Sequence, residues 1–245
     1  ILKWLFVGSM CIFTLYPVVY TLLGSFKTNA ELTLGGNFLP ENWQFNNYVY
    51  AFQKLDFGKY FLNSVVLALL TVVFTLITSS MAAYVISRRD FVGKKLISTA
   101  YLLSMFISVG SVALYPLYTL MSRLGLTKNM VGLALMLTGG QAANIFMISG
   151  FINGVPKDLD EAATIDGAGP FRIFWQILLP LMKPALFSAG LFQFLWTYND
   201  YFNSLIFINS VKKYTISLAL RLSVDAESVV VWGPVMAMAC VAVLP

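Results

Sequence analysis

Histidine is absent from the 245 residues. That excludes imidazole acid–base catalysis and every His-ligated metal site. Cysteine is nearly as scarce. Cys11 and Cys240 each stand alone inside an apolar run near opposite ends of the chain. There a thiol serves as a small hydrophobe rather than as half of a disulfide or a metal pair. Charge is scarce too: Asp, Glu, Lys and Arg make up 11% of the chain, against 58% hydrophobic residues. A soluble domain carries about a quarter charged residues. A phosphate-binding loop is also missing. The "GKK" at Gly93 has no glycine five residues earlier and no Ser or Thr after the lysine pair begins, so this chain does not bind ATP through a Walker A motif.

What is abundant is uncharged apolar sequence, with a mean hydropathy of +0.77. A spanning helix needs about 20 mostly apolar residues. Five runs meet that length, at about 4–26, 63–87, 96–121, 130–153 and 185–208, and a sixth starts near 229. Strand-like alternation is missing, and lipid admits only helices or closed barrels. The expected fold is therefore all-α: a polytopic membrane protein with six transmembrane helices, in one domain over residues 1–245. No cleavable signal peptide is visible. Ile1 is not an initiator methionine and Pro245 falls inside an apolar run, so both ends read as cut and the last helix as truncated.

The net charge of +5 and pI near 9.1 do not point to nucleic acid, because the basic residues flank apolar runs instead of forming a polar face. "RRDFVGKK" concentrates Arg88, Arg89, Lys94 and Lys95 in eight residues and marks that loop as cytoplasmic. Alternation then puts the N-terminus and residues 154–184 inside, and 27–62 and 209–228 outside. A plain count ties at eight basic residues on each side, so density in the one short loop decides. Segment 27–62 carries Trp43, Tyr48, Tyr50, Phe52 and Tyr60, suited to an amphipathic helix at the headgroups.

One loop breaks the aversion to charge. "DLDEAATIDGAGP" (Asp158 to Pro170) holds four carboxylates and two glycines. Pro156 suits a helix start. Asp158, Asp160 and Glu161 fall near the first turn, where the helix dipole favours negative charge. Gly167 and Gly169 break the helix, and Pro170 opens another that Pro180 ends. Phe171, Phe174, Trp175 and Leu178 are expected on one face of the second helix. The pattern predicts a helix–turn–helix knob built to dock.

"EAATIDGAGPFRIFWQILLP" resembles the EAA loop of bacterial ABC importer permeases. The motif residues are Glu161, Ala162, Ala163, Asp166, Gly167, Ile177, Leu179 and Pro180. "FLNSVVLALL", "AAYVISRRDFVGKK", "YPLYTLMSRLGLTKNMVGLAL" and "WTYNDYFNSLIF" resemble the carbohydrate branch, in particular the second permease of the maltose type. The resemblance implies a type I importer in a bacterial plasma membrane. Its partners would be a second permease, two cytoplasmic ATPase subunits that bind ATP and Mg, and an extracytoplasmic solute-binding protein. Residues 154–184 would be the coupling loop. No cofactor or metal is expected on this chain, and no catalysis.

Asp200 is the lone acid in the five complete runs, and an ionisable residue there is a functional candidate. With Trp196, Tyr198, Asn199, Tyr201 and Asn203, and with Thr138, Gln141 and Asn144 from the 130–153 run, it supplies rings and hydrogen-bonding groups suited to a sugar. Gly139 and Gly140 would thin that second helix. The competing role for each is helix-to-helix glue, or for Asp200 a cap near the outer interface. Two other functions stay open: an importer of the same architecture for a glycerophosphodiester or peptide, and a membrane-embedded hydrolase using Asp158 and Glu161, which lie at i and i+3.

The topology is checked by Asn153→Cys and Ser223→Cys, each placed in a background lacking Cys11 and Cys240. An impermeant thiol reagent added to intact cells should label position 223 and spare 153. Labelling at 153 alone would invert the orientation.

Overall fold

The computed structural model describes residues 2–35, 37–54, 56–107, 110–225 and 231–243. In chain order the helices are α1 (Leu2–Gly24), α2 (Asn29–Thr33), α3 (Asn46–Lys54), α4 (Phe57–Arg88) and α5 (Lys94–Phe106). They continue with α6 (Leu114–Arg123), α7 (Met130–Leu137), α8 (Ala142–Gly154), α9 (Asp158–Ile165) and α10 (Pro170–Ile173). After a π-helical turn at Phe174–Leu178 come α11 (Leu179–Leu181), α12 (Lys183–Tyr198), α13 (Phe202–Phe207), α14 (Ile216–Asp225) and α15 (Trp232–Ala242). Every regular element among the described residues is helical, as a chain without alternating apolar residues requires. The chain divides into two compact units, residues 1–64 with 210–245, and residues 65–209.

In the first unit, α1 leaves its apolar side chains uncovered by the chain along most of its length. Its end packs on α15, where a β-carbon on Gly24 would strike the Met236 side chain. A capping box opens α2: Thr28 Oγ1 accepts the Glu31 N–H at 3.3 Å, and the Glu31 carboxylate accepts the Thr28 N–H at 3.4 Å. The aromatic segment does form the short helix α3. Phe26 gathers Trp43, Phe45 and Tyr48 around it at 5.3–5.4 Å between ring centroids. Asn47 Nδ2 donates to the carbonyls of Ser25 and Lys27 at 2.8 and 3.0 Å and so ties α3 to the end of α1. Ser64 Oγ accepts the Ile216 N–H at 2.7 Å, fixing the start of α14. Residues 226–228 of the outer segment and the expected start of the sixth run at 229 lie outside the described residues.

The second unit is built on the rest of α4. Ala83, Tyr84, Ile148, Ile152, Phe174, Leu178, Met182 and Ala189 form one buried cluster joining α4, α8, the π turn and α12. Gly190 brings α12 close to α4.

Among the described residues, two helices are long and apolar enough to cross a membrane: α1 over Lys3–Gly24, and α4. The number rises to four if each bent pair is one span. Those pairs are α7 with α8, bent by 59°, and Pro170–Leu181 with α12, bent by 77°. Several expected runs are thus interrupted. Gly139 and Gly140 do not thin a continuous helix but break it, Gly140 standing at φ +74° between α7 and α8. The run 96–121 is divided into α5 and α6, and 185–208 into α12 and α13, where the polar Asn199–Asp200 pair interrupts the apolar sequence. The helix that Pro180 was expected to end stops one residue later, at Leu181, before the 77° bend into α12. The turn before Pro180 widens so that the Leu179 N–H reaches the Phe174 carbonyl, five residues back.

Close packing generates a contrast between two single-methyl substitutions. A β-carbon on Gly132 would overlap the backbone carbonyl oxygen of Leu126, which has no room to yield, whereas one on Gly190 meets methyls of Leu76 and Val72 at 3.4 Å. Gly132→Ala should cost about 1–3 kcal/mol, the range for overpacking. Gly190→Ala should be near neutral, since the alanine's helix preference offsets the tighter contact. Thermal unfolding in detergent would separate them; equal midpoints would show that the α7 contact relaxes freely.

Candidate functional site

The acidic loop folds as a helix, a tight turn and a second helix. Lys157 caps α9 and Pro156 stands just outside it, so the helix starts two residues later than the proline suggested. The end is a Schellman turn. The Ala168 N–H donates to the Ala163 carbonyl at 2.9 Å and the Gly167 N–H to the Thr164 carbonyl at 3.0 Å, with Gly167 at φ +80°. Ala163 and Ala168 pack against the buried cluster beneath. A β-carbon at Gly167 would meet nothing within 4 Å, so only the backbone conformation demands glycine there.

The four acids do not act alike. Asp158, Glu161 and Asp166 are exposed, together with Ala162. Asp160 turns inward, its Oδ2 lying 3.1 Å from Arg88 Nε. The Arg88 side chain is 4% exposed, and its Nη2 donates to the Val155 carbonyl at 2.7 Å. Tyr84 Oη donates to the Pro170 carbonyl at 3.1 Å and receives Arg89 Nη2 at 3.3 Å. The end of α4 thus grips the loop at both its start and its turn. Sequence reasoning had read Arg88 only as a topological charge, and no spacing signal joins it to Asp160. Nearby, a hydrogen bond from Lys94 at 2.9 Å and its charge hold exposed Asp90 below the usual carboxylate range.

The second helix shows two edges rather than one face. Phe174 and Leu178 are buried, Phe174 packing on Tyr84 at 5.3 Å, while Phe171 and Trp175 remain exposed. Residues four apart share an edge, and the core covers only the 174–178 edge. Of the remaining motif residues, Ile177 and Leu179 are half-buried against the core and Pro180 is exposed. With Ile165, which is 86% exposed, Phe171 and Trp175 give the knob uncovered apolar surface beside Glu161 and Asp166.

Away from the knob, the break between α7 and α8 opens onto a largely apolar cavity of about 330 Å³ that carries three side-chain amides. Leu137, Gly139, Gly140, Gln141, Ala143, Asn144, Phe192, Gln193 and Trp196 line it. Asn144 Nδ2 donates to Gln141 Oε1 at 2.7 Å and approaches Gln193 Oε1 at 3.4 Å; Gln193 Nε2 donates to Thr197 Oγ1 at 3.2 Å. Three of the path residues expected from sequence, Gln141, Asn144 and Trp196, meet here. Gln193 and Phe192 were missed, although a glutamine four residues before Thr197 in an apolar run was a readable signal. The others do not line this cavity. Tyr198 is buried with its ring stacked on Phe194, and Asn199 donates to the Leu195 carbonyl of its own helix at 2.8 Å. Asp200 caps α13: its Oδ2 accepts the Ser204 N–H at 2.9 Å and the Ser204 hydroxyl at 3.2 Å, and its Oδ1 accepts Asn203 Nδ2 at 2.7 Å.

The chain as a whole is similar to known proteins. The profile of a family described as binding-protein-dependent transport system inner membrane component matches residues 76–245. A diacetylchitobiose uptake system permease protein of Streptomyces coelicolor is 32% identical over 191 residues, 78% of this chain and 63% of that protein's length. An arabinooligosaccharides transport system permease protein of Bacillus subtilis is 34% identical over 220 residues, covering 88% of this chain and 78% of the relative. A chain in the crystal structure of a bacterial ABC transporter that imports the acidic polysaccharide alginate superposes with a TM-score of 0.87 at 24% identity. That match covers all of this chain and 91% of the other, and it establishes the shared fold.

Asp200 as a cap carries its own test. Asp200→Ala should lower stability by about 0.5–2 kcal/mol, the usual loss for a cap, and Asp200→Asn should retain most of it. Equal destabilisation of both in thermal unfolding would mean that the charge, rather than the capping geometry, holds α13.

Proposed function

Because the chain belongs to the family of binding-protein-dependent transport system inner membrane components, we propose that it is the permease subunit of an ATP-driven importer for a sugar or oligosaccharide. The observation that carries this reading is the knob. Its exposed Glu161 and Asp166 and its uncovered Ile165, Phe171 and Trp175 face outward, while α4 holds it from behind. That is the surface of a part made to be grasped. A cytoplasmic ATPase subunit that closes around it on binding ATP and Mg would move it as a body. Glu161 offers a carboxylate to a basic partner, Ala162 allows close approach, and Gly167 sets the angle of the second helix. Ile177, Leu179 and Pro180 shape the widened turn behind it.

On this reading the full assembly has six spans in this subunit, a second permease, two ATPase subunits and an extracytoplasmic solute-binding protein, set in a bacterial plasma membrane. Loops 88–95 and 154–184 face the cytoplasm. A sugar suits the cavity chemistry: amides of Gln141, Asn144 and Gln193 to meet hydroxyls and the Trp196 ring to lie under C–H surfaces, with no Lys or Arg among the lining residues to favour a phosphate. The relatives named for diacetylchitobiose uptake and arabinooligosaccharide transport support the same class. Tyr198, Asn199, Asp200 and Asn203 then shape the outer end of the path by holding the α12–α13 turn.

Gly167→Val tests the coupling role. A branched side chain at φ +80° costs roughly 1–2 kcal/mol, too little to unfold packed spans yet enough to redirect the second helix. The variant should assemble with its partner permease but lose ATPase co-purification or solute-stimulated hydrolysis in proteoliposomes. Glu161→Lys should do the same by charge reversal. Normal docking and stimulation in both would leave the knob as a solvated acidic loop.

A further inference from the structure

We propose that Arg88 and Asp160 are a positioning pair that transmits movement of the knob to the transmembrane helix α4. The inference deepens the importer reading and rests on it. One guanidinium sits where three helices end. It leaves the last turn of α4, donates at 2.7 Å to the Val155 carbonyl that caps α8, and lies 3.1 Å from Asp160 in the first turn of α9. Each charge occupies the end that its helix dipole favours: a cation at the C-termini of α4 and α8, an anion at the N-terminus of α9. Side-chain exposures of 4% and 20% keep water from replacing the contact cheaply.

The geometry is that of a pivot rather than a static clamp. A locked arginine–carboxylate fork makes two parallel hydrogen bonds. Here Arg88 Nε lies 3.1 Å from Asp160 Oδ2 without the alignment of a hydrogen bond, and among the described residues the buried Asp160 Oδ1 has no hydrogen-bond partner. The pair therefore keeps donor and acceptor capacity in hand and can stay engaged while α9 tilts. The second tie, Tyr84 Oη to the Pro170 carbonyl, holds the far side of the turn to the same helix. Pulling α9 outward thus loads α4 through its last two turns.

The test uses the assembled transporter in proteoliposomes, with binding protein and solute, and compares Arg88→Gln, Asp160→Asn, the double variant and Asp160→Glu. Both single variants should retain the ATPase subunits and basal hydrolysis yet lose solute stimulation about tenfold, within the usual range for coupling between sites. The double variant should fall no further than either single, and Asp160→Glu should keep most of the stimulation. Stimulation within twofold of the wild type in both singles, or losses that multiply in the double, would overturn the proposal. If the singles do not assemble, the double, which leaves no charge unpaired, decides: lost stimulation supports the pair's role. Wild-type stimulation, or a double that also fails to assemble, removes it. A wild-type transporter without solute-stimulated hydrolysis would instead sink the importer reading itself, before any variant is made.

Discussion

An amide left unpaired in hydrocarbon costs several kcal/mol, and that constraint decides where this chain is permitted to stop being helical. Among the described residues, three of the interruptions can be followed to the groups around them. Gly139–Gly140 falls beside a cavity whose walls carry three side-chain amides. The α12–α13 turn is filled by Asp200, which takes both an amide and a hydroxyl of Ser204. Before Pro180, where a backbone donor is missing, the helix widens into a π turn and then ends at Leu181. At the first two of these breaks the irregular backbone coincides with polar side chains.

The same economy governs charge. An isolated guanidinium as covered as that of Arg88 would be expensive; with a carboxylate, a carbonyl and two helix C-termini around it, it becomes a fastening. One acid of the four is used inward, and the other three stay exposed on the knob.

Much of the knob could be read from sequence because its rules are local. A left-handed residue after a short helix, acids in a first turn and a proline opening the next helix need no tertiary information. Gly167, Asp158 and Pro170 all stand where those rules put them. What failed was non-local or competitive. Arg88 and Asp160 are 72 residues apart, and no spacing predicts their meeting. Glycines read as a thinning of α7–α8 became a bend because two stand together with one at positive φ. Asp200, singled out by its scarcity, has its oxygens engaged by its own turn, while Gln193, inside an apolar run, lines the cavity.

Chain order supplies the remaining link between the two sites. α8 begins at the cavity, with Gln141 and Asn144, and ends at Val155 against Arg88. α12 begins just after the knob at Lys183 and ends at the cavity, with Phe192, Gln193 and Trp196. The knob is therefore the segment that joins the far ends of the two helices whose near ends line the cavity. At a rise of about 1.5 Å per residue, α8 and α12, of 13 and 16 residues, are rods roughly 20 Å long. Ile148 and Ile152 of α8 and Ala189 of α12 lie in the buried cluster, between the knob ends and the cavity ends of these helices. At the cavity end Asn144 and Gln193 face each other at 3.4 Å, the limit of a hydrogen bond.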